Sequence, residues 1–297
     1  MSTNASLHEL HNTKGGRIFD KFNIIFLLIF ALTTVLPFLY VVAGSFATEA
    51  EIARRAFFIW PETFTLNAYR HIFTSQAFIR SIIITIGVTV VGTLTQLFFT
   101  FTMAYPLSKR NLKGNKLLMN IVIFAMLFSG GMIPTYLIVE QLGLINSYWA
   151  LILPGAINPF NLIIIKNFFQ HFSAELEESA KIDGATELQI FWRIVLPLSK
   201  PIIATFALFY AVAIWNDFMG PLLYMHDTSK WTLQLLLRQV TISSDPNALG
   251  QMDPDFVPPE EGLKLAIIVI ATFPIMCIYP FLQKHFAKGI MIGSVKG

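Results

Sequence analysis

Charged residues in this chain fall in clusters, and the stretches between the clusters are long and apolar. Lys21 to Glu49 encloses 27 uncharged residues, Arg80 to Lys109 encloses 28, Lys116 to Glu140 encloses 23, Glu140 to Lys166 encloses 25, and Lys264 to Lys284 encloses 19. Pro201 to Asn216 is also uncharged, and its apolar run continues past Asp217 to Met225. A hydrocarbon core of about 30 Å is crossed by about 20 residues of helix. Six spans are therefore predicted, at 22–43, 82–106, 117–138, 148–168, 202–224 and 265–283. Six buried helices of a water-soluble protein would usually be shorter and would carry a polar stripe. The first run is about twice the usual length of a signal-peptide core, ~7–15 residues, and no small-x-small site follows it. It reads as a retained helix.

Composition agrees with the pattern. The 297 residues are 55% hydrophobic, 14% aromatic and 13% charged, with a mean hydropathy of +0.61. A soluble domain has about 25% charged residues. This argues against an ordinary soluble enzyme, a disordered chain and, with a single Cys, a disulfide-stapled domain. The net charge of +3 is too small to suggest a nucleic-acid partner. Placement of the charges says more. Lys14, Arg17 and Lys21 precede the first span; Lys109, Arg110, Lys113 and Lys116 sit between the second and third; Lys284, Lys288 and Lys296 follow the last. With six spans these three segments share one side, and an excess of Lys and Arg makes that side cytoplasmic. The connection from His226 to Gly262 lies opposite and is acidic, with Asp227, Asp245, Asp253, Asp255, Glu260 and Glu261 against Lys230 and Arg238. The expected organisation is a cytoplasmic arm (1–21), a six-helix membrane domain (22–283) and a cytoplasmic tail (284–297).

Several spans carry helix breakers. Gly130 and Gly131 precede Pro134 in the third; Pro154, Gly155, Asn158 and Pro159 cluster in the fourth; Pro274 and Pro280 lie in the sixth. Proline lacks an N–H and presses on the preceding turn, and freed backbone groups at membrane depth need partners or a wet cavity. Two readings follow: a solute pathway lined by Tyr136, Asn158 and Asn161, or ordinary packing of Gly- and Pro-containing membrane helices. Asp217, in AIWNDFMGPLLY, is the one acid inside an apolar run. Intramembrane carboxylates are costly and mark function by default, so Trp215, Asn216 and Asp217 join the pathway candidates. The competing reading has Asp217 hydrated near the outer face, or paired with Trp215 or a neighbouring helix. The six histidines are scattered, Cys277 has no partner at metal spacing, and no nucleophile motif stands out. No catalytic residue and no metal site are expected.

The connection between the fourth and fifth spans, about 171–201, differs from the other connections. HFSAELEESAKIDGATELQIFWRIVLPLSKP is too long and too patterned for a tight hairpin. Glu175, Glu177 and Glu178 fall early in a first helix, as the helix dipole favours, with Ser173 as its cap. Gly184 reads as a stop. A second helix is expected from Ala185 to about Val195, with Pro197 and Pro201 marking re-entry to the membrane. Leu176, Ala180, Ile182 and Phe191 supply apolar contacts. Such a segment suits a docking element for a cytoplasmic partner.

Within it, Glu178-Ser179-Ala180, Gly184 four residues after Ala180, and Ile194-x-Leu196-Pro197 after nine more residues resemble the EAA motif of permease subunits of ATP-binding-cassette (ABC) importers. Asp183 and Ala185 flank the glycine, and Ser179 stands where the motif has alanine. The likeness extends over nearly the whole chain. WPETFTLNAYRHIF (Trp60–Phe73) and GIMIGSVKG (Gly289–Gly297) are similar to the MalG-like carbohydrate-uptake family. FSGGMIPTYL (Phe128–Leu137) and the C-terminal stretch resemble its LplC/YtcP branch. That branch is associated with oligosaccharides and polysaccharide fragments, some containing uronate.

This resemblance implies an all-α, type I ABC importer permease fold with six transmembrane helices and a cytoplasmic coupling helix. It also implies a bacterial plasma-membrane location. Glu178, Ser179, Ala180, Asp183, Gly184, Ala185, Ile194, Leu196 and Pro197 would form the ATPase-coupling element. The implied partners are a homologous second permease, two ATPase subunits holding ATP and magnesium, an extracytoplasmic solute-binding protein, a carbohydrate and membrane lipid. This chain has no G-x-x-x-x-G-K-[ST] phosphate loop of its own. The alternatives are an ABC importer of a non-sugar solute, an ion-coupled secondary carrier, for which no internal repeat is evident, and a non-transporting scaffold, which leaves the docking loop unexplained.

Overall fold

A computed structural model describes residues 14–109, 111–172, 174–242 and 261–293, with side chains in the last stretch as far as Ile278. Ser173, Arg110, Asp245, Asp253, Asp255, Glu260 and the last four residues lie outside the described residues. The described chain is helical, with no strand among its elements. It divides into two compact units: one ends at Ile72 and includes the last helix up to Ile270, and the other holds the rest.

The first unit opens with α1 (Lys14–Ser45). This helix is apolar on all sides and exposed until its last turn, where Ala43 becomes buried. Such a surface is stable only in lipid or against another apolar helix. Thr48 then caps α2 (Glu49–Arg54). The connection after α2 is held by one carboxylate: Glu51 is 4% exposed and accepts hydrogen bonds from Arg55 Nη1 at 2.7 Å, Glu62 N at 2.8 Å and Thr63 N at 3.3 Å. Tyr40 packs on Phe57 and Phe58, and Phe46 stacks on Phe64 and Tyr69. α3 (Asn67–Thr74) follows.

The second unit is built around α4 (Gln76–Ser108). Its other elements, in chain order, are α5 (Asn115–Leu127), α6 (Met132–Gln141), α7 (Trp149–Ile152), α8 (Pro159–Gln170), α9 (Ala174–Ile182), α10 (Glu187–Leu198), α11 (Lys200–Trp215), α12 (Met219–Tyr224), α13 (Leu233–Ile242) and α14 (Glu261–Gly293). α14 begins in the first unit, where Glu49 accepts from the N–H groups of Glu261 and Gly262. In the second unit α4 packs most extensively against α11 and α8. Their contact forms the main core, in which Ala104, Ile165, Ile190 and Val195 are fully buried.

Among the described residues, three helices are individually long and apolar enough to cross a bilayer: Ile18–Ser45, Gln76–Ser108 and Glu261–Ile278. The segments predicted as single spans at 117–138, 148–168 and 202–224 are interrupted. α5 and α6 meet at 114°. Gly131 adopts φ +89 before α6, a conformation that favours glycine. Pro134 thus lies in the first turn of α6, where its missing N–H leaves no hydrogen bond unmade. In the fourth segment the chain leaves helix after Ile152 and resumes at Pro159. The fifth ends at Trp215, and α10 and α11 are bent by 80°. The connection expected after Met225 contains α13, whose Leu233, Leu236 and Val240 are buried. Its first amide, on Leu233, donates to Thr85 Oγ1 of α4 at 2.8 Å.

The Glu62 N–H, then the Thr63 N–H and Arg55, hold the Glu51 carboxyl below the usual carboxylate range against the opposing effect of burial. A carboxyl with a depressed folded-state pKa stabilises above its unfolded value and loses that effect as pH falls through the folded one. The amides of Glu62 and Thr63 are expected to lose protection as pH falls through the folded-state value, below the usual carboxylate range, and in Glu51→Gln to lose it already at neutral pH. Hydrogen exchange, corrected for intrinsic rate, checks this; equal protection across the range would contradict it.

Candidate functional site

The segment between α8 and α11 gathers the motif residues into one element. α9 ends at Ile182, and Gly184 follows with φ +82. The Gly184 N–H donates to Lys181 O at 3.0 Å and the Ala185 N–H donates to Ala180 O at 2.9 Å. This pair of bonds is a Schellman motif, in which an αL residue closes the helix and the next residue reaches back five positions. Ala180 and Ala185, its two ends, pack in the same core. The spacing of small residue, glycine and small residue is therefore the spacing of a helix stop with its apolar contact. Glu178, Ser179, Asp183 and Gly184 lie on the exposed side. Ile182 is 86% exposed, so the apolar contact expected of it within the chain is not made, and Leu176 is also exposed. Ala180 and Phe191 do face inward.

α10 starts with a complete capping box: Gln189 N donates to Thr186 Oγ1 at 3.3 Å and Thr186 N donates to Gln189 Oε1 at 2.9 Å. The T-x-x-Q pattern at 186–189 is the sequence signal of this cap; the cap expected at Ser173 belongs to α9 and lies outside the described residues. From Phe191 to Val195 the helix widens into a π turn. Pro197 has no N–H for the Arg193 carbonyl and its ring would crowd it, so a change of register just before it relieves the conflict. Ile190 and Val195 are fully buried, Ile194 and Leu196 pack against the same core, and Pro197 is exposed. Ser199, also buried, donates to Val195 O at 2.6 Å.

Charged side chains surround the inner side of this segment. Lys109, just past α4, pairs with Glu177 of α9, and Lys181 pairs with Glu187 of α10 at 2.7 Å. The Lys181 ammonium is held above its usual range, chiefly by its hydrogen bond to Glu187; the same bond holds the Glu187 carboxyl below its usual range. A cavity of about 650 Å³ lies between Thr102, Lys109, Glu177, Glu187 and Trp192. Lys109 and Glu177 were each visible in the sequence, one in a basic segment and one in an acidic first turn, but their pairing was not, because they are 68 positions apart.

The pathway candidates are placed separately. Tyr136 stacks on Tyr224, with centroids 6.1 Å apart. Asn158 is exposed and caps α8 by accepting from Asn161 N at 3.1 Å. Asn161 reaches the Tyr210 hydroxyl, which donates to Thr100 Oγ1 at 3.1 Å; Tyr210 and Thr100 are buried polar groups the sequence reading did not single out. Trp215 is buried and its indole N–H donates to Ala271 O at 3.0 Å, so it does not pair with Asp217. Asn216 is exposed and donates to Val212 O at 2.9 Å. Asp217 is not within a helix. It sits in the break after α11 and accepts from Met219 N at 3.0 Å and Gly220 N at 3.1 Å, anchoring the start of α12. Among the described residues no group of His, Cys, Asp or Glu is arranged to hold a metal ion.

A Cβ at Gly184 would meet nothing within 4 Å, so its substitution is opposed by backbone conformation alone. Gly184→Ala is expected to weaken the turn by about 1–2 kcal/mol, and Gly184→Asn by less. Exchange of the Ala185 amide should quicken about 5–30-fold in the alanine variant; unchanged protection would show that the turn does not depend on φ.

A family model described as "binding-protein-dependent transport system inner membrane component" matches residues 96–292, from the middle of α4 through the whole motif. Protein LplC of Bacillus subtilis (strain 168) is 67% identical over 294 residues, covering 99% of this chain and 100% of that one. The polygalacturonan/rhamnogalacturonan transport system permease protein YtcP of the same organism is 54% identical over 287 residues, covering 95% and 99%. A chain in the crystal structure of a bacterial ABC transporter involved in the import of the acidic polysaccharide alginate matches with a TM-score of 0.85 at 33% identity, over 92% of this chain and 98% of that one. This chain therefore belongs to the binding-protein-dependent transport system inner membrane components, integral membrane proteins with the all-α fold of type I ABC importer permeases.

Proposed function

We propose that this chain is a permease subunit of an ATP-driven importer that takes up oligosaccharides or polysaccharide fragments, uronate-containing ones among them. The observation that carries the coupling part is the two-sided build of the segment from α9 to α10. Its inner side is locked into the core by Ala180, Ile190 and Val195, while Glu178, Ile182 and Leu188 are exposed. An exposed isoleucine beside a carboxylate on a rigid helical turn suits docking into a groove of another protein. That partner is an ATPase subunit, present twice and holding ATP and magnesium. The motif residues Ser179, Asp183, Gly184, Ala185, Ile194, Leu196 and Pro197 shape the turn and its seating.

The carbohydrate part is supported by the relatives. One is named for polygalacturonan and rhamnogalacturonan, and the solved neighbour serves the acidic polysaccharide alginate. Six spans, with residues 1–21 and 284–297 as cytoplasmic arm and tail, put the basic segments and the α9–α10 segment on the ATPase side. The opposite side, including Asp227 and Glu261, faces a solute-binding protein. A second, homologous permease completes the membrane part in the bacterial plasma membrane. Tyr136, Asn158, Asn161, Trp215, Asn216 and Asp217 are assigned to the pathway region. Asn158 and Asn216 are exposed, and the amide atoms not used in their own helix-end bonds are left for a hydroxylated solute.

The test is reconstitution of the chain with its partner permease, ATPase and binding protein. ATP hydrolysis and uptake should rise with oligogalacturonides more than with neutral oligosaccharides. Ile182→Asp should release the ATPase subunits and abolish uptake while membrane insertion persists, since burying the isoleucine is worth about 1.5–3 kcal/mol. Uptake driven by an ion gradient without ATP would overturn the reading, and stimulation by a non-sugar solute alone would overturn the cargo.

A further inference from the structure

The charged groups behind the α9–α10 segment form a continuous link to α4. Lys109 is fixed at its backbone: Asn115 Nδ2 donates to Leu107 O at 3.1 Å and to Lys109 O at 2.7 Å. From there the Lys109 side chain reaches Glu177 of α9, and the two side chains are 28% and 14% exposed. The same ammonium lies 4.3 Å from the centroid of the Tyr105 ring, in the last turns of α4. Tyr105 in turn reaches α10 in two ways. Its hydroxyl donates weakly to Glu187 Oε2 at 3.4 Å, and its ring lies 4.9 Å from that of Phe191, where the π turn begins. Glu187 closes the circuit through Oε1 to Lys181 of α9.

A connection of this kind has a mechanical consequence. α9 and α10 meet at a single glycine whose surroundings are open. Core packing holds the base of the segment through Ala180, Ala185 and Ile190; without a further hold on its flank, force on its exposed tip could be absorbed by rocking about Gly184. An ion pair before that glycine, from Glu177 to Lys109, and a hydrogen bond and ring contact after it, from Glu187 and Phe191 to Tyr105, remove this freedom, and the Lys109 ammonium over the Tyr105 ring joins the two holds. Removing Lys109 alone would leave the Glu177 carboxylate poorly solvated and unpaired, so the contact is sensitive to loss of either partner.

We propose that Lys109 and Tyr105 are positioning residues that clamp both halves of the α9–α10 segment to α4, so that displacement of the segment is passed to α4 and not dissipated at Gly184. This rests on the transport reading above. The reconstituted complex with Lys109→Met should keep its ATPase subunits and go on hydrolysing ATP, while solute moved per ATP falls at least tenfold. Glu177→Gln should behave alike, Tyr105→Phe should lose less, and Lys109→Met with Glu177→Gln should be no worse than either single change. An unchanged transport-to-hydrolysis ratio in Lys109→Met, or a loss explained wholly by departure of the ATPase, would overturn the proposal. Spin labels at Ser179 and Phe99 of the detergent-solubilised chain give a reading independent of transport. Their distance distribution should broaden in Lys109→Met, and an unchanged distribution would also overturn the clamp. Failure of the wild-type complex to couple ATP to uptake would count against the transport reading, and the spin-label distances would still decide the clamp.

Discussion

Hydrocarbon offers no hydrogen bonds, so each place where a membrane helix stops must be closed by the chain itself. An unmet amide or carbonyl costs several kcal/mol there. The second unit interrupts its helices repeatedly, and each interruption has its own closure. Thr135 donates its hydroxyl to Gly131 O at 2.8 Å beside the bend between α5 and α6. Asn158 caps α8, Asp217 receives two amides of α12, and Trp215 ties the end of α11 to the carbonyl of Ala271. Asn146, with φ +61, accepts from the amides of His226 and Asp227 and thereby ties the turn after α6 to the one after α12. The short polar side chains in apolar surroundings are, first of all, the groups that make broken helices affordable.

The motif segment follows the same logic with an additional demand. Some of its residues satisfy the chain and others are left for something else. Ala180, Gly184 and Ala185 complete a helix stop, and Ile190, Val195 and Ser199 anchor the following helix in the core. Glu178 and Ile182 contribute little to either. A polar, partly solvated ring of Lys109, Glu177, Lys181 and Glu187 lies behind them. The surface offered outward is thus supported by core packing at its base and by charge at its flank.

What was legible in the sequence was what repeats or stays local. Uncharged runs located the apolar segments, Gly184 announced the stop, and Gly130, Gly131 and the Pro154–Pro159 cluster announced breaks. The extent of the breaks was not legible, because composition reports the length of an apolar run and says nothing about its continuity. α13 was overlooked although Leu233, Leu236 and Val240 have helical spacing; the acidic residues around it marked the stretch as a loop. Lys109 with Glu177, and Tyr210 with Thr100, join residues far apart in the chain, and no local pattern encodes such pairs.

The π turn alters how the motif should be counted. Ile190 and Val195 are both fully buried, five positions apart. On a regular α-helix, with about 3.6 residues per turn, that separation would place them about 140° apart around the axis. Here the wider turn brings both to the core, and Ser199 continues the row after four more positions. The nine-residue spacer between Gly184 and Ile194 therefore contains one residue of surplus winding. Shortening it by a single residue would remove that surplus, let the turn wind as a regular α-helix, and leave the re-entry helix presenting the same face while bringing Pro197 into conflict with an unbroken ladder.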